Sequence, residues 1–126
     1  MTPAQIVRAF GERLMTLPDA PAIVWEDQDA NPARPVLSVQ HVPAIRQERG
    51  LAGGALWQTG YFVVTVHTTK GGLANEAHGI AAAILAHFPR ALKLDGLTIT
   101  GARLASAGYP DGADWRLPVR VDYRIG

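Results

Sequence analysis

Between Leu56 and Phe88 the hydrophobic period of the chain changes once, and that change limits the fold more than any other feature of the sequence. Up to Thr69 the residues alternate. Leu56, Phe62, Val64 and Val66 fall on one side, and Trp57, Thr59, Tyr61, Val63, Thr65 and His67 on the other. Alternation carried by β-branched and aromatic residues marks a strand. The Phe62–Val66 side is the more apolar and is expected to face a core. Lys70-Gly71-Gly72 then makes a tight turn. After it Leu73, Ala77, Ile80, Ala81, Ile84, Leu85 and Phe88 recur at three- and four-residue steps, which is one face of an α-helix. Pro89 closes that helix, because proline has no N–H to continue the ladder. A long strand running directly into a long helix founds an α+β core.

The flanking sequence supplies the rest of two layers. Thr2 suits an N-cap and Pro3 the first helical turn, and Ile6, Val7, Phe10, Leu14 and Leu17 form the apolar stripe of an N-terminal helix. Gly11 inside it costs about 1 kcal/mol relative to alanine, so close packing of another element there is expected. Ala22–Trp25 is a short strand, followed by a polar, proline-punctuated loop through Pro35. Val36–Val42 is the next strand. Residues Pro43–Ala55 lack a sustained apolar period and read as a long loop or a mobile hairpin extension, functional or disordered at that length. Leu97–Thr100 begins a further strand, Ala107–Asp114 reads as a turn-rich loop, and Leu117, Val119, Val121, Tyr123 and Ile125 alternate with charged residues in a last strand. Pro118 favours a place near an edge or at the start of that strand. The expected architecture is a two-layer α+β sandwich, a mainly antiparallel or mixed sheet with both helices on one face.

At 126 residues the chain is expected to form a single domain, 1–126. It contains no cysteine, which excludes disulfides, thiolate metal sites and cysteine nucleophiles and fits a cytoplasmic place of synthesis. The net charge is +1, with acids and bases mixed along the chain, so neither a nucleic-acid stripe nor a polybasic membrane patch stands out. MTPAQIVRAF has no charged start before an apolar run, so no secretory signal is expected. No apolar stretch approaches the roughly 20 residues of a membrane span.

Catalytic motifs are missing. TTKGGLANEA has neither phosphate-loop nor dinucleotide spacing, and its glycines read as a strand-to-helix turn. Ser38 and Ser106 lie outside any G-x-S-x-G context. Glu26, Asp27 and Asp29 read as a solvated loop. No metal or cofactor is expected. His41 and His67 lie on separate strands and approach one another only if those strands pair, which leaves a small enzyme or ligand-binding domain as an alternative. Arg116, Arg120 and Arg124 share one strand face, either a solvated outer face or an inter-subunit or lumen-lining surface whose charges pair with a neighbour's. Trp57 and Tyr61 lie on the less aliphatic side of the long strand; if that side faces water they expose aromatic area of the kind that marks protein interfaces, and a loop packed over it as a second layer is the alternative.

Taken together, the N-terminal helix, the PAIVWED segment, the Arg/Gly-rich loop, the stretch GYFVVTVHTTKGGLANEAHGIAAAILAHF and the terminal WRLPVRVDYRI strand resemble the tail terminator, or tail completion, proteins of long-tailed bacteriophages and phage-derived gene transfer agents. The resemblance covers nearly the whole chain. It implies a structural virion protein without catalysis, an α+β sandwich that forms a hexameric ring on the tail tube, stops tube growth and joins the head. The implied partners are other copies of the chain, the tail tube protein and a head-side connector or stopper. Interface candidates are Arg46, Arg49, Trp57, Tyr61, Arg116, Arg120 and Arg124, with a neck adaptor or minor tail protein as the related alternative.

Overall fold

A computed structural model describes residues 2–48, 56–71 and 74–125, with the side chains of 43–48, 56–58 and 74 outside that description. Helix α1 (Pro3–Met15) starts as its sequence requires. Thr2 Oγ1 accepts from the Gln5 N–H at 3.2 Å, and Gln5 Oε1 accepts from the Thr2 N–H at 2.8 Å, a reciprocal capping box. Helix α2 (Ala74–His87) follows the long strand. The strands are β1 (Ala22–Trp25), β2 (Val36–Glu48), β3 (Leu56–Thr69), β4 (Lys93–Leu94), β5 (Leu97–Leu104), β6 (Tyr109–Asp111) and β7 (Asp114–Ile125). They form one mixed sheet in the order β1-β2-β3-β7-β5-β4, with β6 also on β7. Only β1–β2 is parallel among the described pairs; the others are antiparallel.

Both helices lie on the sheet face that carries Leu37, Val39, Phe62, Val64, Val66, Leu117, Val119, Val121 and Tyr123, all buried. The two-layer α+β expectation therefore holds. Phe10 of α1 stacks on Phe62 of β3 with centroids 3.9 Å apart, and on Phe88 after α2 at 4.7 Å. His41 continues the stack on Phe62 at 4.6 Å and reaches the Tyr123 hydroxyl at 2.7 Å. Gly60, opposite Tyr123, leaves room for that hydroxyl: a Cβ there would sit 2.6 Å from it. The C-termini of the helices are tied together, Arg13 Nε donating to the His87 carbonyl at 3.0 Å and His87 Nε2 to the Arg13 carbonyl at 2.8 Å. The second contact places the proton on Nε2, because a carbonyl only accepts.

Three element boundaries and the placement of one proline differ from the sequence reading. Strand β2 does not stop at Val42 but runs to Glu48, so of the two readings of this stretch the hairpin extension holds for Pro43–Glu48, with Leu56–Thr59 opposite it, and the register shift between Val42 and Ile45 absorbs Pro43. Residues 49–55 lie outside the described residues. The 107–114 segment is not only a loop: β6 pairs back on β7 around the left-handed Gly112. The short strand β4 precedes β5, in the stretch between Pro89 and Leu97 that carries no strand pattern in the sequence. Pro118 sits in a central strand, not at an edge. Its carbonyl accepts from the Ala105 N–H at 3.0 Å, in the gap between the end of β5 and the start of β6. Its missing N–H faces that same gap, where no ladder bond is lost.

The expectation at Gly11 also holds: a Cβ would lie 2.8 Å from Trp25 Cζ2, so β1 is packed directly on the helix backbone. Gly79 in α2 faces open space. Gly79→Ala is expected to stabilise the fold by about 1 kcal/mol through helix propensity. The same change at Gly11 is expected to destabilise it, because the ring of Trp25 must move. Phe10→Ala is expected to cost about 3–5 kcal/mol. Urea unfolding of the three variants checks all of these; equal effects of the two glycine changes would rule out the tight helix–β1 contact.

Candidate functional site

The sheet face opposite the helices carries the polar and aromatic residues singled out above. Strand alternation places Tyr61, Val63, Thr65 and His67 of β3 beside Asp122, Arg120, Pro118 and Arg116 of β7. Arg120 lies over Tyr61, its Cζ 3.7 Å from the ring centroid, a cation–π contact that leaves the tyrosine half-buried. Arg120 Nε donates to Asp122 Oδ1 at 2.8 Å, and Arg103 Nη1 to Asp122 Oδ2 at 3.3 Å. Asp122 thus bridges two arginines that face each other across β5 and β7. Like charges at such positions repel, so the shared carboxylate is what makes the pairing tolerable. Arg116 pairs with Asp111 of β6 at 3.0 Å. Arg124 is exposed beside Arg90 at a shallow cleft of about 180 Å³.

Arg116 and Arg120 therefore have acidic partners within the chain. Tyr61, Arg120 and Asp122 form one cluster, with Arg116 and Arg124 on the same strand face to either side. Arg49 lies outside the described residues. Arg46 and Trp57 lie on the hairpin extension, opposite Gln58 and Gln47 respectively, and their side chains are outside the description.

The two histidines do not form a site. Strands β2 and β3 do pair, but His41 lies opposite Phe62 and His67 opposite Val36. The odd spacing from Phe62 to His67 puts them on opposite faces, about 17 Å apart along the strand at 3.4 Å per residue. His41 is part of the core stack. His67 belongs to a polar cluster that sequence reading missed. Its Nε2 is 2.7 Å from Ser38 Oγ, and its Nδ1 is 3.7 Å from Asp114 Oδ2. Arg34 grips Asp114 with both branches, Nε to Oδ1 at 2.9 Å and Nη2 to Oδ2 at 2.7 Å, and its other nitrogen donates to Asn31 and to the Pro32 carbonyl, each at 2.8 Å.

Serine, histidine and aspartate in this order suggest a nucleophile and its base, yet the geometry spends them otherwise. Asp114 is committed to Arg34, and the Asp114–His67 distance is too long for the hydrogen bond that orients a catalytic imidazole. The cluster works as a clasp holding the 31–35 loop to the start of β7. Arg34 and Asp114 are 80 residues apart, and no local pattern marks either of them. Among the described residues no group of histidine and carboxylate side chains is placed to hold a metal ion.

The electrostatics of these groups set a pH dependence. The bidentate bond from Arg34 holds the Asp114 carboxyl below its ordinary value. Burial holds His41 below the ordinary imidazole value, and burial followed by the Arg116 charge does the same to His67. Burial pushes the Tyr123 hydroxyl up to about 12, so it stays protonated beside His41. Below the ordinary imidazole value of 6.5 the unfolded chain binds protons that the folded histidines refuse. Stability is then full above that pH and falls as the pH drops below it. The Asp114 contribution is present above 3.8 and is lost as the pH falls through the lower folded value. The melting temperature is expected to decline between about pH 7 and about pH 5, and His67→Gln to flatten the decline. Thermal melts across that range check it, and an unchanged slope in the variant would discard His67 as a contributor.

Comparison with known proteins accords with this geometry. One solved structure is similar over 100% of this chain and 96% of its own, with a TM-score of 0.76 and 26% identity. No curated protein matches. The family model described as phage tail terminator protein matches residues 5–123, from the first turn of α1 to the end of β7. The chain belongs to the phage tail terminator family, structural proteins of the bacteriophage tail.

Proposed function

We propose that the protein caps the end of the tail tube as an oligomeric ring, stops tube polymerisation and offers the surface on which the head is joined. The observation that carries this reading is a sheet with both helices on one face and a polar, aromatic face without helices on the other, in a chain matched by the tail terminator family from residue 5 to residue 123. A ring of identical subunits needs a heterologous contact that closes, and two ends that meet different neighbours. The helix-free face presents Tyr61 under Arg120, flanked by Asp122 and Arg124. Aromatic and arginine side chains are the groups most enriched at the centres of protein interfaces. The β2–β3 extension runs past β1, whose pairing with β2 ends at Val39, and supplies a second contact element. An isolated two-stranded ribbon is marginal in water, and packing against a neighbour steadies it.

In this reading the ring has six copies, as the sequence resemblance implies. One end meets the tube protein and the other a head-side connector or stopper, in a phage or a gene transfer agent particle. The polar clusters serve folding and contact, and the protein performs no catalysis.

Electron microscopy of tails made with and without the gene tests the proposal. Overlong, headless tubes in its absence are the expected result. Headless tails of normal length would transfer the protein to the neck, and intact particles would remove it from assembly altogether. Complementation with Tyr61→Ala combined with Arg120→Ala is expected to restore soluble, folded protein while head joining falls at least tenfold. Normal particle yield from that variant would take the Tyr61–Arg120 cluster out of the interface.

A further inference from the structure

Two transverse rows of the sheet end in complementary groups. Register joins Trp25 to Val39, Val39 to Val64, Val64 to Val119 and Val119 to Leu104, across β1, β2, β3, β7 and β5. In the next row Gln40 faces Val63, Val63 faces Arg120, and Arg120 faces Arg103. Glu26, one residue past Trp25, holds the matching place beside β2. Its N–H donates to the Val39 carbonyl at 3.0 Å, and its carboxylate lies 3.5 Å from the His41 N–H. One end of these rows therefore carries Trp25 and Glu26, and the other carries Leu104 and Arg103.

Both ends are open. Among the described residues, the exposed large hydrophobic side chains are Met15, Leu104 and Tyr109. Met15 borders a shallow groove of about 510 Å³ with Ile23 and Trp25 at the β1 end. Leu104 and Tyr109 lie at the other end, at the close of β5 and on β6. The charges differ in the same sense. Residues 19–29 contain Asp19, Glu26, Asp27 and Asp29 and no lysine or arginine, whereas residues 97–110 contain Arg103 and no carboxylate. Strand sense agrees as well. Following the pairings from β1 through β2, β3 and β7 makes β5 run opposite to β1, so the two ends set side by side meet in antiparallel sense.

We infer that the β1 end of one copy receives the β5 end of the next, with Leu104 seated in the groove between Met15 and Trp25 and Arg103 paired with Glu26. This rests on the ring reading above and names its subunit contact. The two patches are different surfaces of the same chain, so the contact is heterologous, and repeating it closes a ring or extends a filament without ending at a two-fold dimer. Arg103 gains a carboxylate of its own, which relieves its competition with Arg120 for Asp122. The contact leaves the Tyr61–Arg120 face free for a different neighbour.

The test uses the full-length protein, alone and with isolated tail tubes, followed by sedimentation and by counting subunits at tube ends. Glu26→Arg, Arg103→Glu and Leu104→Asp are each expected to weaken self-association at least tenfold. All three residues are on the surface, and circular dichroism and thermal melts report whether each variant folds as wild type. The double reversal of Glu26 and Arg103 is expected to restore assembly. Rings that form unaltered from the folded single variants would overturn this contact and leave the ring reading standing, and failure of the double reversal would overturn the Arg103–Glu26 pairing. Wild-type protein that stays monomeric both in solution and on tubes would overturn the ring reading, and this contact with it.

Discussion

The stack of Phe10 on Phe62, with Phe88 on the far side of Phe10, is the contact on which the rest of the fold depends. It draws together the first helix, the central strand and the end of the second helix, three segments far apart in the chain. All three rings are buried, and buried aromatics contribute large apolar area together with a preferred ring geometry. Because Phe62 lies in the middle of the sheet, fixing it fixes which face of β3 is inside. Alternation then assigns every neighbouring strand: Leu37 and Val39 on one flank, Val119 and Val121 on the other. A slip of one residue would turn Tyr61 and Val63 inward and the phenylalanine outward.

The same constraint leaves a second sheet face without helices. A sheet with both helices on one face has its other face to dispose of, and here it is filled with residues that are neither core nor simple solvent coat. Tyr61 is covered by an arginine, two arginines share one aspartate, and Arg34 clasps Asp114 to hold the loop before β2. Tyr61, Arg120, Asp122 and the Arg34–Asp114 pair are thus held in place by contacts within the chain itself. Preordering of this kind reduces the entropy lost on association. The division follows from topology: the helix face builds the core of the subunit, and the opposite face, the hairpin extension and the sheet ends carry the groups on which the proposed contacts rest.

The polar cluster around His67 illustrates how chemistry-bearing residues are turned to structural use. Ser38 and His67 are at hydrogen-bond distance and an aspartate is near, yet Arg34 has taken both oxygens of that aspartate. Ion pairing with an always-charged guanidinium keeps the carboxylate ionised and in place, which suits a clasp. His41, by contrast, is a polar ring admitted to the aromatic core because Tyr123 satisfies its nitrogen.

By itself the sequence determined the local structure and the class of fold. Period and capping residues placed α1, the core of β3, α2 and the alternation of β7, and the glycine in α1 announced the contact that Trp25 makes. These signals are local, arising within a few residues and needing no partner. Tertiary structure decided what lies between distant segments. The parallel pairing of β1, the extension of β2 past Pro43, the return of β6 and the acceptance of Pro118 in a central strand all depend on a neighbouring backbone, which no window of sequence contains. The same is true of the sites. Alternation put Tyr61 and the Arg116, Arg120 and Arg124 row on one face, but only strand order set Arg120 over Tyr61, separated His41 from His67 and joined Arg34 to Asp114. Hydrogen bonds and ion pairs of that kind are short-ranged in space and indifferent to separation along the chain, so they become legible only when the strands are in register.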